Sequence, residues 1–154
     1  MAPFIDGLRR RGIDGTALQL PTGRAEAAVT AFHRQVPRGP GVAVGGQSFG
    51  GRVASLAAAE PDAEYEALVL LSYPVHRPGA PEGEVRVEHW PRIRCPVLLL
   101  SGEADPFAKI ELLRAAVGRL AKAELVTYPR LGHTLKPVLD DALDRIARFL
   151  ADST

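Results

Sequence analysis

Four short apolar runs punctuate the chain: Val42–Val44, Leu68–Leu71, Val97–Leu100 and the weaker Leu125–Tyr128. The middle two, LVLL and VLLL, are continuous rather than alternating. A strand has that pattern when both faces are buried, as in a parallel sheet covered by helices. Between the runs, apolar positions recur every three or four residues. Ala28, Val29, Phe32 and Val36 form one stripe, Ile110, Leu113, Val117 and Leu120 a second, and Leu139, Ala142, Ile146 and Phe149 a third. Val53, Leu56 and Ala57 mark a further helix. Each stripe predicts a helix with one buried face. Strands alternating with helices predict an α/β fold, a mostly parallel sheet with helices on both faces and right-handed crossovers. No repeat, low-complexity tract or linker divides the chain, so residues 1–154 read as one domain.

One stretch fits neither period. SYPVHRPGAPEGEVRVEHWP, Ser72 to Pro91, holds four prolines and two glycines and is expected to be irregular. Loops of that length inside a domain are usually functional or mobile.

Composition narrows the classes. With 46% hydrophobic and 24% charged residues, the chain matches an ordinary globular protein. Net charge is +1, and the only basic run, Arg9-Arg10-Arg11, closes a short helical pattern. Cations there complement a helix C-terminus, so no nucleic-acid partner is expected. The single cysteine, Cys95, cannot form an internal disulfide and reads as a buried thiol in a reducing compartment. No stretch approaches the roughly 20 apolar residues of a membrane span, and the N-terminus lacks a signal-peptide core. A cytoplasmic protein without a membrane partner is the expectation. Arginine far outnumbers lysine and alanine is abundant, a bias that suggests a GC-rich bacterial gene.

Chemistry concentrates after the first apolar run, in VAVGGQSFGGRVASLAAAEP, Val42 to Pro61. A P-loop would need a lysine and a hydroxyl where Gly51-Arg52 stands, and no register supplies G-x-G-x-x-G. What the segment does contain is G-x-S-x-G, as Gly46-Gln47-Ser48-Phe49-Gly50. This motif places serine on a strained turn between strand and helix, with its hydroxyl exposed above the sheet. Strand and helix nearly touch there. Gly46 and Gly50 are expected to relieve the crowding, and Gly51 to let the helix pack closer. The bland alternative is a simple glycine-rich turn.

A serine nucleophile needs a base and an acid to orient that base, in the chain order Ser, Asp or Glu, His. SGEADPF follows the third run and offers Asp105, with Glu103 nearer the strand as the fallback. Asp105 before Pro106 is also a good helix N-cap. YPRLGHTLKP follows the last run and offers His133, the only one of four histidines after the acid. His33 lies within a helical stripe. His76 and His89 lie in the long loop, where contact with substrate or solvent is expected. Tyr73 and Trp90 frame the same loop and are candidates for walling the pocket, with plain aromatic packing as the alternative.

With these residues placed, the chain resembles the α/β-hydrolases. Its stretches GGQSFGGRVAS, LVLLSYPVHRPGAPE, EHWPRIRCPVLLLSGEADPF and LGHTLKP are similar to those of small bacterial dienelactone-hydrolase-like proteins. They also resemble the hydrolase-like domain of testis-expressed protein 30 and of a subunit of the NSL histone-acetyltransferase complex. The resemblance implies a Ser48, Asp105, His133 triad and an oxyanion amide from Phe49. Dienelactone hydrolases proper carry cysteine where this chain has Ser48, so their particular substrate is not implied.

The front of the chain departs from the family pattern. MAPFIDGLRRRGI resembles its first helix, and DGTALQLP the strand after it. The family places another strand before that helix, ending in a glycine-rich loop that gives the second oxyanion amide. That strand would lie between the ALQL and VAVGG strands. The domain is therefore expected to be truncated at its N-terminus, as a fragment or mis-started product, or to have a rearranged sheet. The expected function is hydrolysis of an ester or related acyl bond in a small molecule, with no metal or organic cofactor. A non-catalytic hydrolase-like binding module is the alternative.

Overall fold

In the computed structural model, which describes residues 1–83 and 85–153, the four apolar runs become four strands. These are β1 (Ala43–Gln47), β2 (Ala67–Leu71), β3 (Val97–Gly102) and β4 (Ala123–Tyr128). They lie in the order β1-β2-β3-β4 with every pair parallel, so all four C-terminal ends share one edge. The helices are α1 (Ala2–Arg10), α2 (Ala25–Gln35), α3 (Phe49–Ala58), α4 (Ile110–Val117) and α5 (Leu139–Asp152).

Side-chain alternation explains the continuous apolar runs. Leu68, Leu70, Val97 and Leu99 point to one face, against Phe32 of α2, Val53 of α3 and Leu113 of α4. Val69, Leu71, Leu98 and Leu100 point to the other, against Phe4 of α1 and Leu143 and Ile146 of α5. All residues of β2 and β3 are buried. Burying each such side chain contributes about 1.5–3 kcal/mol, which makes these strands the anchor of the fold. No helix among the described residues is long and apolar enough to cross a membrane. Arg9 and Arg10 occupy the last turn of α1, and Arg11 pairs with Asp144 at 2.9 Å.

Among the described residues, β1 has a neighbouring strand on one side only. Ser48 N–H donates to Leu71 O at 2.8 Å, and Glu66 N–H donates to Val42 O at 2.9 Å. Peptides alternate sides in a parallel ladder, so those of Ala43, Gly45 and Gln47 face outward. Along that free edge runs a cleft of about 1040 Å³ whose walls include Ile5, Leu8, Leu18 and Leu20, and it reaches Ser48 and Phe49.

The far wall of the cleft corrects the sequence reading. Residues 14–21, expected to hold the ALQL strand, form no strand. The cleft separates them from β1, so no neighbouring peptide is available. A side chain substitutes: Gln35 Oε1 accepts Gln19 N–H at 3.2 Å, and Gln35 Nε2 donates to Gln19 O at 2.7 Å.

The long loop is packed rather than open. Between Ser72 and Pro91 it contains one isolated bridge, Arg77 to Ala80, and the start of a 3₁₀ turn, Trp90–Arg92. Its Glu84 lies outside the described residues. Tyr73 meets Trp90 edge-on at 5.0 Å and donates its hydroxyl to Arg86 O at 2.6 Å. His89 Nε2 lies 2.8 Å from Ser55 Oγ, tying the loop to α3. Burial pushes the His89 imidazole down to about 4 and the Tyr73 phenol up.

Candidate active site

Ser48 stands between the end of β1 and the first residue of α3, with φ 52° and ψ −119°. A non-glycine residue with positive φ is uncommon and strained, and such strain gathers at functional sites. The turn closes because strand and helix backbones touch. A Cβ on Gly46 would collide with the carbonyl carbon of Gly50, and one on Gly51 would come within 2.9 Å of Gly46 O. Gly50 differs from the expectation: a Cβ there meets nothing within 4 Å. The crowding involves its backbone, while its own Cβ direction points into open space.

Asp105 and His133 arrive from the ends of the next strands on the same edge. His133 Nδ1 lies 2.8 Å from Asp105 Oδ2, and His133 Nε2 lies 2.9 Å from Ser48 Oγ. With Nδ1 protonated toward the carboxylate, Nε2 is left to accept the serine proton. The Asp105 side chain is fully buried, whereas that of His133 is 30% exposed. Asp105 is not the N-cap of α4, which begins five residues later after Lys109. Its Oδ1 instead accepts Phe107 N–H at 2.8 Å, closing a short turn over Pro106. Glu103, the fallback acid, turns away to accept Thr127 Oγ1 at 2.8 Å and to face Arg114.

Two loops must lie nearly in contact for this geometry. Glu103 N–H donates to Tyr128 O and Ala104 N–H to Leu131 O, each at 2.9 Å. A Cβ on Gly102 would collide with the carbonyl oxygens of Leu131 and Gly132. Gly102 is thus what lets the histidine loop rest on the end of β3. Phe107 adds a ring stacked on His133, with centroids 4.3 Å apart. Sequence reasoning singled out neither residue; the glycine ending an apolar run was the available signal for Gly102.

Phe49 N–H, the first amide of α3, directly follows Ser48 and has no partner inside the helix. The helix dipole adds partial positive charge there. Gln47, just before the serine, lines the cleft with Ser48 and Phe49.

The remaining candidates sit elsewhere. Tyr73, His76 and Trp90 are 2%, 1% and 0% exposed and none of them lines the cleft; Tyr73 donates to Arg86 O, and the His76 ring lies between Arg77 O and Lys109 N–H. The physical reason is the loop itself: without regular structure it is held by these side chains. His33 faces Glu60 at 2.8 Å, far along α2 from the serine turn. Cys95 is half-buried, and burial pushes its thiol up. Among the described residues no cluster of three or more His, Cys, Asp or Glu is arranged to hold a metal ion.

Comparison with known proteins places this geometry in context. The chain is similar to the monoacylglycerol lipase of Paleococcus ferrophilus, with TM-score 0.75 and 14% identity over 98% of this chain and 88% of that one. It is similar to Est1E from Butyrivibrio proteoclasticus bound to ferulic acid, with TM-score 0.74 and 17% identity over 99% and 82% of the two chains. The Pyrococcus furiosus esterase Pf2001 matches with TM-score 0.72 and 19% identity over 99% and 76%. At such identities the likeness speaks for the fold. A family model described as alpha/beta hydrolase domain matches residues 14–150. Spanning nearly the whole chain, that match makes this protein a member of the alpha/beta hydrolase domain family.

Proposed function

We propose that this chain is a serine hydrolase acting on an ester or related acyl bond of a small molecule. The observation that carries the reading is the unbroken relay Ser48–His133–Asp105, two hydrogen bonds of 2.9 and 2.8 Å on one sheet edge. Ser48 Oγ attacks the acyl carbon while His133 Nε2 takes its proton. Asp105 holds the imidazole and stabilises the imidazolium. Phe49 N–H receives the oxyanion. The imidazolium then protonates the leaving alcohol, and water, activated by the same imidazole, releases the acid from Ser48. The scheme uses no metal or organic cofactor. The dienelactone-hydrolase-like character of GGQSFGGRVAS and LGHTLKP supports it, with serine in place of cysteine. A cytoplasmic site of action fits the same reading.

A fluorophosphonate probe tests the nucleophile, and p-nitrophenyl acetate the turnover. Wild type should label at Ser48 and hydrolyse the ester, and Ser48→Ala should do neither. Equal hydrolysis by the two proteins refutes the reading.

A further inference from the structure

Phe107 is in contact with both the acid and the base, yet the proposed reaction does not use it. Its backbone N–H donates to Asp105 Oδ1 at 2.8 Å, the carboxylate oxygen that His133 leaves free. Its ring lies over the His133 imidazole, with centroids 4.3 Å apart and planes inclined by 28°. These contacts oppose two different rotations. A carboxylate bonded through one oxygen can still swing about its own axis, and a second donor on the other oxygen stops it. An imidazole bonded through both nitrogens can still roll about the line joining them, and an aromatic face stops that.

Phe107 is itself fastened from behind. Its carbonyl accepts His76 N–H at 3.1 Å, and the preceding Pro106 carbonyl accepts Gly79 N–H at 2.9 Å. The His76 ring completes the fastening: Nε2 accepts Lys109 N–H at 2.9 Å, and Nδ1 lies 2.6 Å from Arg77 O. A single tautomer, with the proton on Nδ1, satisfies both bonds. The ring is 1% exposed, so no water competes for them.

We propose that Phe107 is the positioning residue of this site, setting the plane of His133 and the rotation of Asp105, and that His76 is the latch holding Phe107 there. The proposal rests on the serine-hydrolase reading. It assigns the buried histidine of the long loop to the organisation of the acid turn. The aromatic plane at residue 107 orients the base, while the backbone amide, which any side chain would leave in place, orients the acid.

The test separates ring from amide. Phe107 is half-buried, so leucine is accommodated. Phe107→Leu should lower kcat about 10- to 100-fold with KM within about 2-fold, because misorientation affects the reacting geometry rather than binding. Phe107→Tyr should restore kcat to within about 3-fold. His76→Leu should lower kcat in the same way, and His76→Gln, which keeps an acceptor for Lys109 N–H, should recover part of it. An NMR readout that needs no turnover accompanies the kinetics, taken in both the active protein and a Ser48→Ala background. The ring protons of His133 should lie upfield under the Phe107 face, move downfield in Phe107→Leu and stay upfield in Phe107→Tyr. Wild-type kcat in Phe107→Leu, or unmoved His133 protons, overturns the proposal. Shifts that move as expected in a wild type inert to both probe and ester refute the hydrolase reading and uphold the orientation of His133 by Phe107.

Discussion

Gly102, the last residue of β3, lies against the carbonyl of Leu131 so closely that even a methyl group would not fit. That approach joins the strand leading to Asp105 with the loop carrying His133.

Gly102→Ala should therefore lower stability by about 1–3 kcal/mol, the usual cost of overpacking. It should also lower ester turnover at least about 10-fold by lifting His133 from Ser48. Urea unfolding and steady-state kinetics on one preparation measure both. Gly50→Ala is the contrast. Its Cβ meets open space in a helix, so stability should rise by roughly 0.5–1 kcal/mol.

Asp105→Asn leaves the shape of the acid but reverses the hydrogen-bond preference of His133, stranding the proton on the nitrogen facing Ser48. A loss in kcat on the order of 10⁴-fold is expected. Glu103→Gln should stay within about 3-fold, because its carboxylate is engaged by Thr127. Similar losses in the two variants would show that the acid had been misassigned.

His89 links stability to pH. Burial lowers its folded value to about 4 from 6.5. Above 6.5 the group is neutral in both states and contributes no pH dependence. As pH falls from 6.5 toward 4, the unfolded chain gains a proton that the folded chain refuses, so stability declines, then levels below 4. Urea midpoints at pH 7, 5.5 and 4 should show this decline in wild type, and His89→Gln should flatten it.

Gln35→Ala removes both bonds to the Gln19 peptide and leaves residues 14–21 without their substitute for a neighbouring strand. A loss of about 1–2 kcal/mol is expected from two hydrogen bonds. Trypsin should cut faster after Arg24, which is exposed three residues beyond that segment, at the start of α2. An unchanged cutting rate would show that other contacts hold the segment.

The strands were legible where burial on both faces leaves an unbroken apolar record, as in β2 and β3. Ser48, Asp105 and His133 could be placed near one another from sequence because each follows a strand, buried on both faces only for β3, and strand ends in a parallel sheet share an edge. ALQL misled because its alternation fits a strand, yet pairing depends on a neighbour that local sequence does not reveal. Tyr73, His76 and Trp90 looked like pocket residues by position in an irregular loop. Their burial follows from contacts that local sequence does not show: Tyr73 with Arg86 O and the Trp90 ring, and His76 with Lys109 N–H beyond the loop. Phe107 left no local signal for the same reason: its amide meets Asp105 within its own loop and its ring meets His133 on another.

The open flank of β1 has a consequence for how the molecule comes apart. β2 and β3 are each gripped on two sides, but the strand bearing Ser48 is zipped along β2 alone. Like β4 at the other edge, it should open before the centre of the sheet, with the amides of Val44 and Gly46 exchanging with deuterium ahead of those of Leu70 and Leu99. On warming, the serine would drift from its imidazole while most of the sheet still stands, so esterase signal should fade at a lower temperature than far-ultraviolet ellipticity.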